Sequence, residues 1–454
     1  MKNYKEFFKD KKITVMGLGL LGRGIGDAIF LAQCGAKLTI TDLKTKEQLK
    51  ESLKKLAKFK NIEYVLGEHR LEDFKDKDLI LKSAKVPLDS IYIREAQKNN
   101  IPVEMSTALF VKLSNLPVIG VTGTRGKSTT THLLEHIFNV AGKKFILGGN
   151  VRGVSTLSML PKAKNADYVL LELDSWQLQG FRKNKTSPHV AVFTTFYPDH
   201  MSYYGNDMKK YFIDKASIFK YQKKNDFLIT GEQVMSFIKK WEGEIKSKII
   251  TLKSNLPKGW KIKIPGEHNI HNASLAIEVA RRLGIKDVTI KKAVASFGGV
   301  VGRLQYLTTI KGVKIYNDNS ATTAEATAAA LKALGANKNI VLIVGGYDKN
   351  LDMTNLVKKI PHTCSKVILF KEKGTDRIRD EVFKMKKDGI EVYEEEGLKN
   401  CVKRAFAVAK KRETILFSPA FESFGKYFKN EFDREAQFLK IVKNLKPSRG
   451  GQVK

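Results

Sequence analysis

Leu116-Pro117-Val118-Ile119-Gly120-Val121-Thr122-Gly123-Thr124-Arg125-Gly126-Lys127-Ser128-Thr129-Thr130 is the stretch that decides the fold. A β-branched apolar run enters a glycine turn, and a helix-period stretch over 128–140 leaves it and stops at Gly142. Strand, glycine loop and helix in that order make a phosphate cradle, because backbone N–H groups and the positive helix end face the anion. Lys127 is placed to neutralise the β- and γ-phosphates of a nucleotide, and the Ser128 hydroxyl to hold Mg²⁺. The strict P-loop has a glycine where this chain has Val121, so the loop is a variant of it.

The same alternation runs outward in both directions. Upstream, 13–16 reads as a strand entering Gly17-x-Gly19-x-x-Gly22, a helix ends near Cys34-Gly35, and a second strand over 37–41 precedes Asp42. This is the dinucleotide-type fingerprint, in which glycines admit a pyrophosphate and the acid takes a ribose hydroxyl. It leaves an NAD(P) oxidoreductase open as an alternative. Downstream, strands are expected over 168–173, 190–195, 313–316, 340–344, 366–370 and 414–417, with a helix over 270–283 stopping at Gly284. The expected class is α/β with three domains. They are a Rossmann-like unit at 1–112, a central P-loop-type ATPase unit with a mainly parallel sheet at 113–298, and a Rossmann-like unit at 299–454.

Composition narrows the function. The 454 residues hold 81 Lys and Arg against 47 Asp and Glu, a net charge of +34, yet the lysines are dispersed and no basic block stands apart. A nucleic acid is therefore not expected as the main partner, and small anionic substrates suit this surface better. No apolar run reaches the length of a membrane span, and the N-terminus does not read as a signal peptide. Cys34, Cys364 and Cys401 are odd in number and far apart, which excludes a disulfide framework or zinc cluster and fits a reducing cytoplasm.

The loop at 122–129 resembles the ATP loop of the Mur ligases, the amide-forming ligases of peptidoglycan precursor synthesis. Further blocks resemble that family in order. They are Glu172-Leu173-Asp174-Ser175-Trp176-Gln177-Leu178, Pro198-Asp199-His200-Met201, the lysine block 211–219, Gly266-Glu267-His268-Asn269-Ile270-His271-Asn272-Ala273, Asn317-Asp318-Asn319-Ser320-Ala321-Thr322-Thr323 and Ser418-Pro419-Ala420-Phe421-Glu422-Ser423-Phe424. The first glycine turn and the Ser-Pro-Ala block point to glutamate as the amino acid joined to UDP-N-acetylmuramoyl-L-alanine. A sister ligase using L-glutamate or another amino acid, or a folylpolyglutamate synthase-like enzyme, is the alternative within the superfamily.

The resemblance implies a set of roles. ATP would be bound by Gly123, Thr124, Arg125, Gly126, Lys127, Ser128, Thr129, Asn272, Arg303 and Asp318. Two Mg²⁺ ions are implied, one on Ser128 and Glu172 and one on His200 and a carbamylated Lys215, with Lys127, His200 and Lys215 carrying the catalysis. Gly19, Leu20, Leu21, Asp42, Ser83 and Asn150 would hold the UDP-sugar, so the first domain would bind UDP and no nicotinamide. Thr322, Ser423 and Phe424 would hold the amino acid, and the enzyme is expected to act as a monomer. The chain departs from the family at Ser320, where a lysine is usual, and at Glu435, where glycine is usual. With that lysine gone, a neighbour such as Lys426 is a candidate replacement cation.

Overall fold

The computed structural model describes residues 3–445 apart from 20, 21, 85, 152, 349 and 424. Three sheets follow one another along the chain. In the first, β1 Lys12–Met16, β2 Lys37–Asp42, β3 Ile62–Leu66, β4 Leu79–Lys82 and β5 Val103–Glu104 are all parallel, in the order β3-β2-β1-β4-β5. The second comprises β6 Val118–Thr122, β7 Phe145–Gly149, β8 Tyr168–Glu172, β9 Val190–Phe193, β10 Phe227–Gly231 and β11 Lys248–Leu252. These are also all parallel, in the order β11-β10-β9-β6-β8-β7. The third holds β12 Gln305–Ile310, β13 Val313–Asn317, β14 Ile340–Val344, β15 Cys364–Phe370, β16 Glu391–Glu395 and β17 Thr414–Phe417. Their order is β12-β13-β17-β14-β15-β16, and only the edge strand β12 runs antiparallel, against β13.

Parallel strands buried on both faces read as continuous apolar runs. Val118–Thr122 and Ile340–Val344 are buried at every position. β1 and β6 lie inside their sheets, and each leads at its carboxyl end into a glycine turn and a helix, Arg23–Gln33 and Lys127–Val140. Ligands of open α/β sheets bind at that end of the strands.

Two compact units emerge, Met1–Leu256 with His271–Ala293, and Pro257–Ile270 with Val294–Lys454. The first carries the first two sheets, whose cores are continuous through residues such as Phe30, Leu109, Leu157 and Phe181. Among the described residues no helix is long and apolar enough to cross a membrane.

Candidate active site

The second glycine turn is fixed by its neighbours. Gly126 stands at φ 88°, and a β-carbon there would lie 2.3 Å from Asn272 Oδ1, so only glycine fits. Thr124 N–H donates to the Thr195 carbonyl at 2.7 Å, Arg125 N–H to Thr195 Oγ1 at 2.9 Å, and Thr194 Oγ1 to the Thr122 carbonyl at 3.1 Å. The sequence reading carried this strand to Thr195. The structure ends β9 at Phe193: Thr194 N–H still reaches the end of β6 at the Thr122 carbonyl, 2.9 Å, and Thr195 bonds to the loop instead. Sequence reasoning missed that rim, and its only signal was two hydroxyl residues closing an apolar run.

Two lysines meet at the loop. Lys127 Nζ donates to the Gly123 carbonyl at 2.8 Å and to the Thr124 carbonyl at 3.2 Å. Lys215 Nζ, from helix Met208–Ala216, reaches the same Gly123 carbonyl at 3.0 Å and lies 4.9 Å from the Tyr211 ring centroid. Lys215 is 1% exposed. Burial first, and the Lys127 charge second, push it well below the ordinary lysine value, against Asp174, Asp199 and Asp214. That shift favours the neutral amine over the ammonium.

His200 opens the short helix Met201–Tyr204 with φ 56°, its ring centroid 4.5 Å from that of Trp176. Burial, aided by Lys127 and Lys215 and opposed by Asp199 and Asp174, holds its pKa below the ordinary histidine value, which favours the neutral, metal-binding imidazole. Arg125 Nη1 pairs with Asp199 Oδ2 at 3.0 Å.

Glu172 ends β8 and is 4% exposed. Among the described residues its carboxylate accepts one hydrogen bond, from Asn150 Nδ2 at 3.2 Å, and pairs with no lysine or arginine. No group of three His, Cys, Asp or Glu residues able to hold a metal ion occurs among the described residues. A buried carboxylate and the Ser128 hydroxyl nonetheless fit Mg²⁺, which takes one or two carboxylates and completes its shell with phosphates and water.

At the first glycine turn, Asp42 accepts from Gly19 N–H at 3.0 Å and from Lys44 N–H at 2.9 Å. Ser83, exposed, packs against Gly17. Lys82, beside it and buried, donates to the carbonyls of Ser83, Ala84 and Val86, and burial takes its pKa down to about 8. Nothing in the sequence had marked it. Asn150 accepts from Arg23 Nη1 at 2.9 Å.

In the second unit Asp318 is buried. It accepts from Ser418 Oγ at 2.7 Å and Leu304 N–H at 2.9 Å, and burial pushes its pKa up to about 7. Arg303 is exposed, Thr322 half-buried and Ser423 buried. Ser320 and Glu435, two of the positions where the chain departs from the family, are neighbours: Ser320 Oγ and Glu435 Oε1 both border Gly302, and Asn317 Nδ2 donates to Glu435 at 3.4 Å. Lys426, the candidate replacement cation, is exposed and pairs with Glu396 at 3.0 Å. Leu20, Leu21 and Phe424 lie outside the described residues.

Fold and loop together define a nucleotide-binding α/β protein of the phosphoryl-transfer class. Comparison with known proteins specifies it. Residues 11–104 match the Mur ligase MurD-like N-terminal domain, 121–260 the Mur ligase middle domain, and 302–421 the Mur ligase glutamate ligase domain. The UDP-N-acetylmuramoylalanine–D-glutamate ligase of Borreliella afzelii (strain PKo) is 34% identical, over 96% of this chain and 98% of that protein. The enzyme of the same name from Roseiflexus sp. (strain RS-1) is 31% identical over 96% and 99%. Among solved structures, UDP-N-acetylmuramate–alanine ligase MurC from Thermotoga maritima shares the fold with a TM-score of 0.61, at 20% identity over 96% of this chain and 100% of that one. MurF ligase from the same organism, in complex with ADP, gives 0.57 at 17% over 89% and 94%. The chain belongs to the Mur ligase family, in its MurD-like branch.

Proposed function

We propose that the chain is an ATP-dependent ligase that joins D-glutamate to UDP-N-acetylmuramoyl-L-alanine in peptidoglycan precursor synthesis. The names of relatives that match nearly the whole chain support the substrates. The observation that carries the chemistry is the meeting of Lys127 and the buried Lys215 on one loop carbonyl. A carboxylate is a poor acyl donor because its leaving group would be an oxide. Transfer of the γ-phosphoryl group from ATP to the carboxylate releases ADP and gives an acyl phosphate. The glutamate nitrogen then attacks the acyl carbon, the C–N bond forms as the C–O bond to phosphate breaks, and the nitrogen loses a proton. Two anions must meet for the first step, so the Lys127 ammonium and the N–H groups of 123–129 offset their repulsion.

Two Mg²⁺ ions would supply further charge neutralisation, one held by Ser128 and Glu172, the other by His200 and Lys215. An ammonium cannot hold a cation, whereas the depressed pKa of Lys215 supports addition of its amine to CO₂. That step forms an N–C bond, releases a proton and leaves a carbamate with two oxygen donors. Gly19, Asp42, Ser83 and Asn150 form the proposed UDP-sugar site, and Thr322 and Ser423 the proposed glutamate site. One sheet in each of 1–112, 113–298 and 299–454 supports the three-domain division. The proposed setting is the cytoplasm, which three buried free cysteines support, and the proposed state is a monomer.

The test is product mass from ATP, the UDP-sugar acid and D-glutamate, L-glutamate, meso-diaminopimelate or L-lysine in turn. D-glutamate should be incorporated with release of one ADP and one phosphate. Preference for a diamino acid would overturn the acceptor, and absence of ADP release would overturn the ligase.

A further inference from the structure

The helix Arg23–Gln33 reaches beyond its own sheet. Arg23, its first residue, donates from Nη1 to Asn150 Oδ1 at 2.9 Å, and Asn150 donates from Nδ2 to Glu172 Oε1 at 3.2 Å. Asn150 N–H also donates to the Glu172 carbonyl at 2.6 Å. A flipped amide would set NH₂ against a guanidinium and oxygen against a carboxylate, so the arginine and the acid together fix which way the amide points. One turn along the helix, Asp27 accepts from Ser155 Oγ at 2.6 Å. Residues 23 and 27 share one helix face, and both grip the segment that follows β7.

We propose that Arg23 is a positioning residue for ligation: by orienting Asn150 it aims the Glu172 carboxylate, and so ties the UDP-sugar turn to the nucleotide site. The inference depends on the reading of Glu172 as a divalent-cation ligand. Partners that orient a ligating side chain typically contribute ten- to a hundredfold to metal affinity. Arg23→Met keeps the aliphatic length and removes the donors.

The measurement is Mn²⁺ titration of the full chain with saturating ADP, followed by the Mn²⁺ paramagnetic resonance signal. Arg23→Met should raise the Mn²⁺ dissociation constant about tenfold without lowering the thermal unfolding midpoint. Asn150→Ala should raise it too, and the double variant should bind no worse than Asn150→Ala alone, because Arg23 reaches Glu172 through that amide. Arg23→Lys, which keeps one donor group, should recover part of the loss. Unchanged Mn²⁺ affinity in Arg23→Met, or additive losses in the double variant, would overturn the proposal. If Glu172→Gln binds Mn²⁺ as tightly as the natural chain, the metal reading itself fails and takes this inference with it.

Discussion

Gly22, at φ 88° and ψ −17°, and Gly126, at φ 88° and ψ −16°, turn the chain in the same way at the carboxyl end of a parallel strand, and each hands over to a cation, Arg23 or Lys127. What surrounds them differs. The Lys127 ammonium folds back onto its own loop and shares the Gly123 carbonyl with a second lysine. Arg23 extends away from its loop to Asn150, and the Gly19 N–H of that first loop is taken by Asp42. One backbone device thus serves two purposes. A glycine turn at a helix start makes an anion site, but concentrated positive charge beside it suits the second turn to a phosphoryl group in transfer. The first, with its N–H already taken by Asp42, suits the proposed UDP-sugar site.

The largest expected effect tests that division directly. Lys127→Ala should lower ADP formation by on the order of 10³-fold or more, the scale for losing a charge clamp on a transferring phosphoryl group. UDP-sugar affinity, measured by calorimetry, should stay within a few-fold. Activity near that of the natural chain would make the two turns equivalent and break the comparison.

Lys215 comes next. Lys215→Ala should lose about 10²- to 10³-fold in turnover, on the scale of a catalytic electrostatic group, and recover in part with added short carboxylates. Lys215→Arg should stay inactive and resist rescue, since arginine keeps its charge and cannot add CO₂. Removal of dissolved CO₂ should lower the activity of the natural chain reversibly. A fully active Lys215→Arg enzyme would reduce this lysine to a structural residue of the loop.

The glycines themselves give a smaller, paired test. Alanine at either φ costs about 1–2 kcal/mol of backbone strain. At Gly22 the added carbon would meet only Gly153 at ordinary contact distance, 3.6 Å. At Gly126 it would collide with Asn272. Gly22→Ala should therefore raise the UDP-sugar KM by roughly five- to thirtyfold, the strain converted to affinity, and leave the ATP KM unchanged. Gly126→Ala should raise the ATP KM by clearly more. Equal losses in steady-state kinetics would show that Asn272 yields freely.

The second turn was the more legible of the two. Its glycines, lysine and hydroxyls are contiguous. Buried strands of the third sheet are likewise legible as uninterrupted apolar runs, and 340–344 and 414–417 agree with the sequence reading residue for residue. Edge strands carry a weaker pattern. Ile62–Leu66 exposes Glu63 and Tyr64, and Glu391–Glu395 is mostly acidic, so neither looks apolar enough to be a strand. Lys215 could not be told from a surface lysine by composition, because its burial is made by helix Met208–Ala216 packing back onto the loop. The Arg23–Asn150 contact joins positions 127 residues apart, a distance across which local periodicity carries no information.

The last test asks what holds the helix of the first turn in place. Asp27 is buried with Ser106 Oγ at 2.7 Å and Ser155 Oγ at 2.6 Å on the same carboxyl oxygen. Burial raises its pKa from 3.8 to about 6, against those two hydroxyls and Arg23. A raised pKa means that the folded state binds the proton more tightly than the unfolded chain. The stabilising contribution is therefore full below about pH 4 and lost as pH rises through about 6. At about 1.4 kcal/mol per unit it amounts to at most about 3 kcal/mol. The helix Lys127–Val140 carries a single carboxylate, Glu135, which is half-buried rather than buried, so this sensitivity belongs to the first turn. Asp27→Asn keeps an acceptor oxygen for both serines and cannot titrate. The unfolding midpoint of the natural chain should fall more steeply between pH 4 and 7 than that of Asp27→Asn. Parallel profiles would show that the carboxyl is already ionised in the folded protein, and that charge attraction to Arg23 rather than a neutral hydrogen bond fixes the helix.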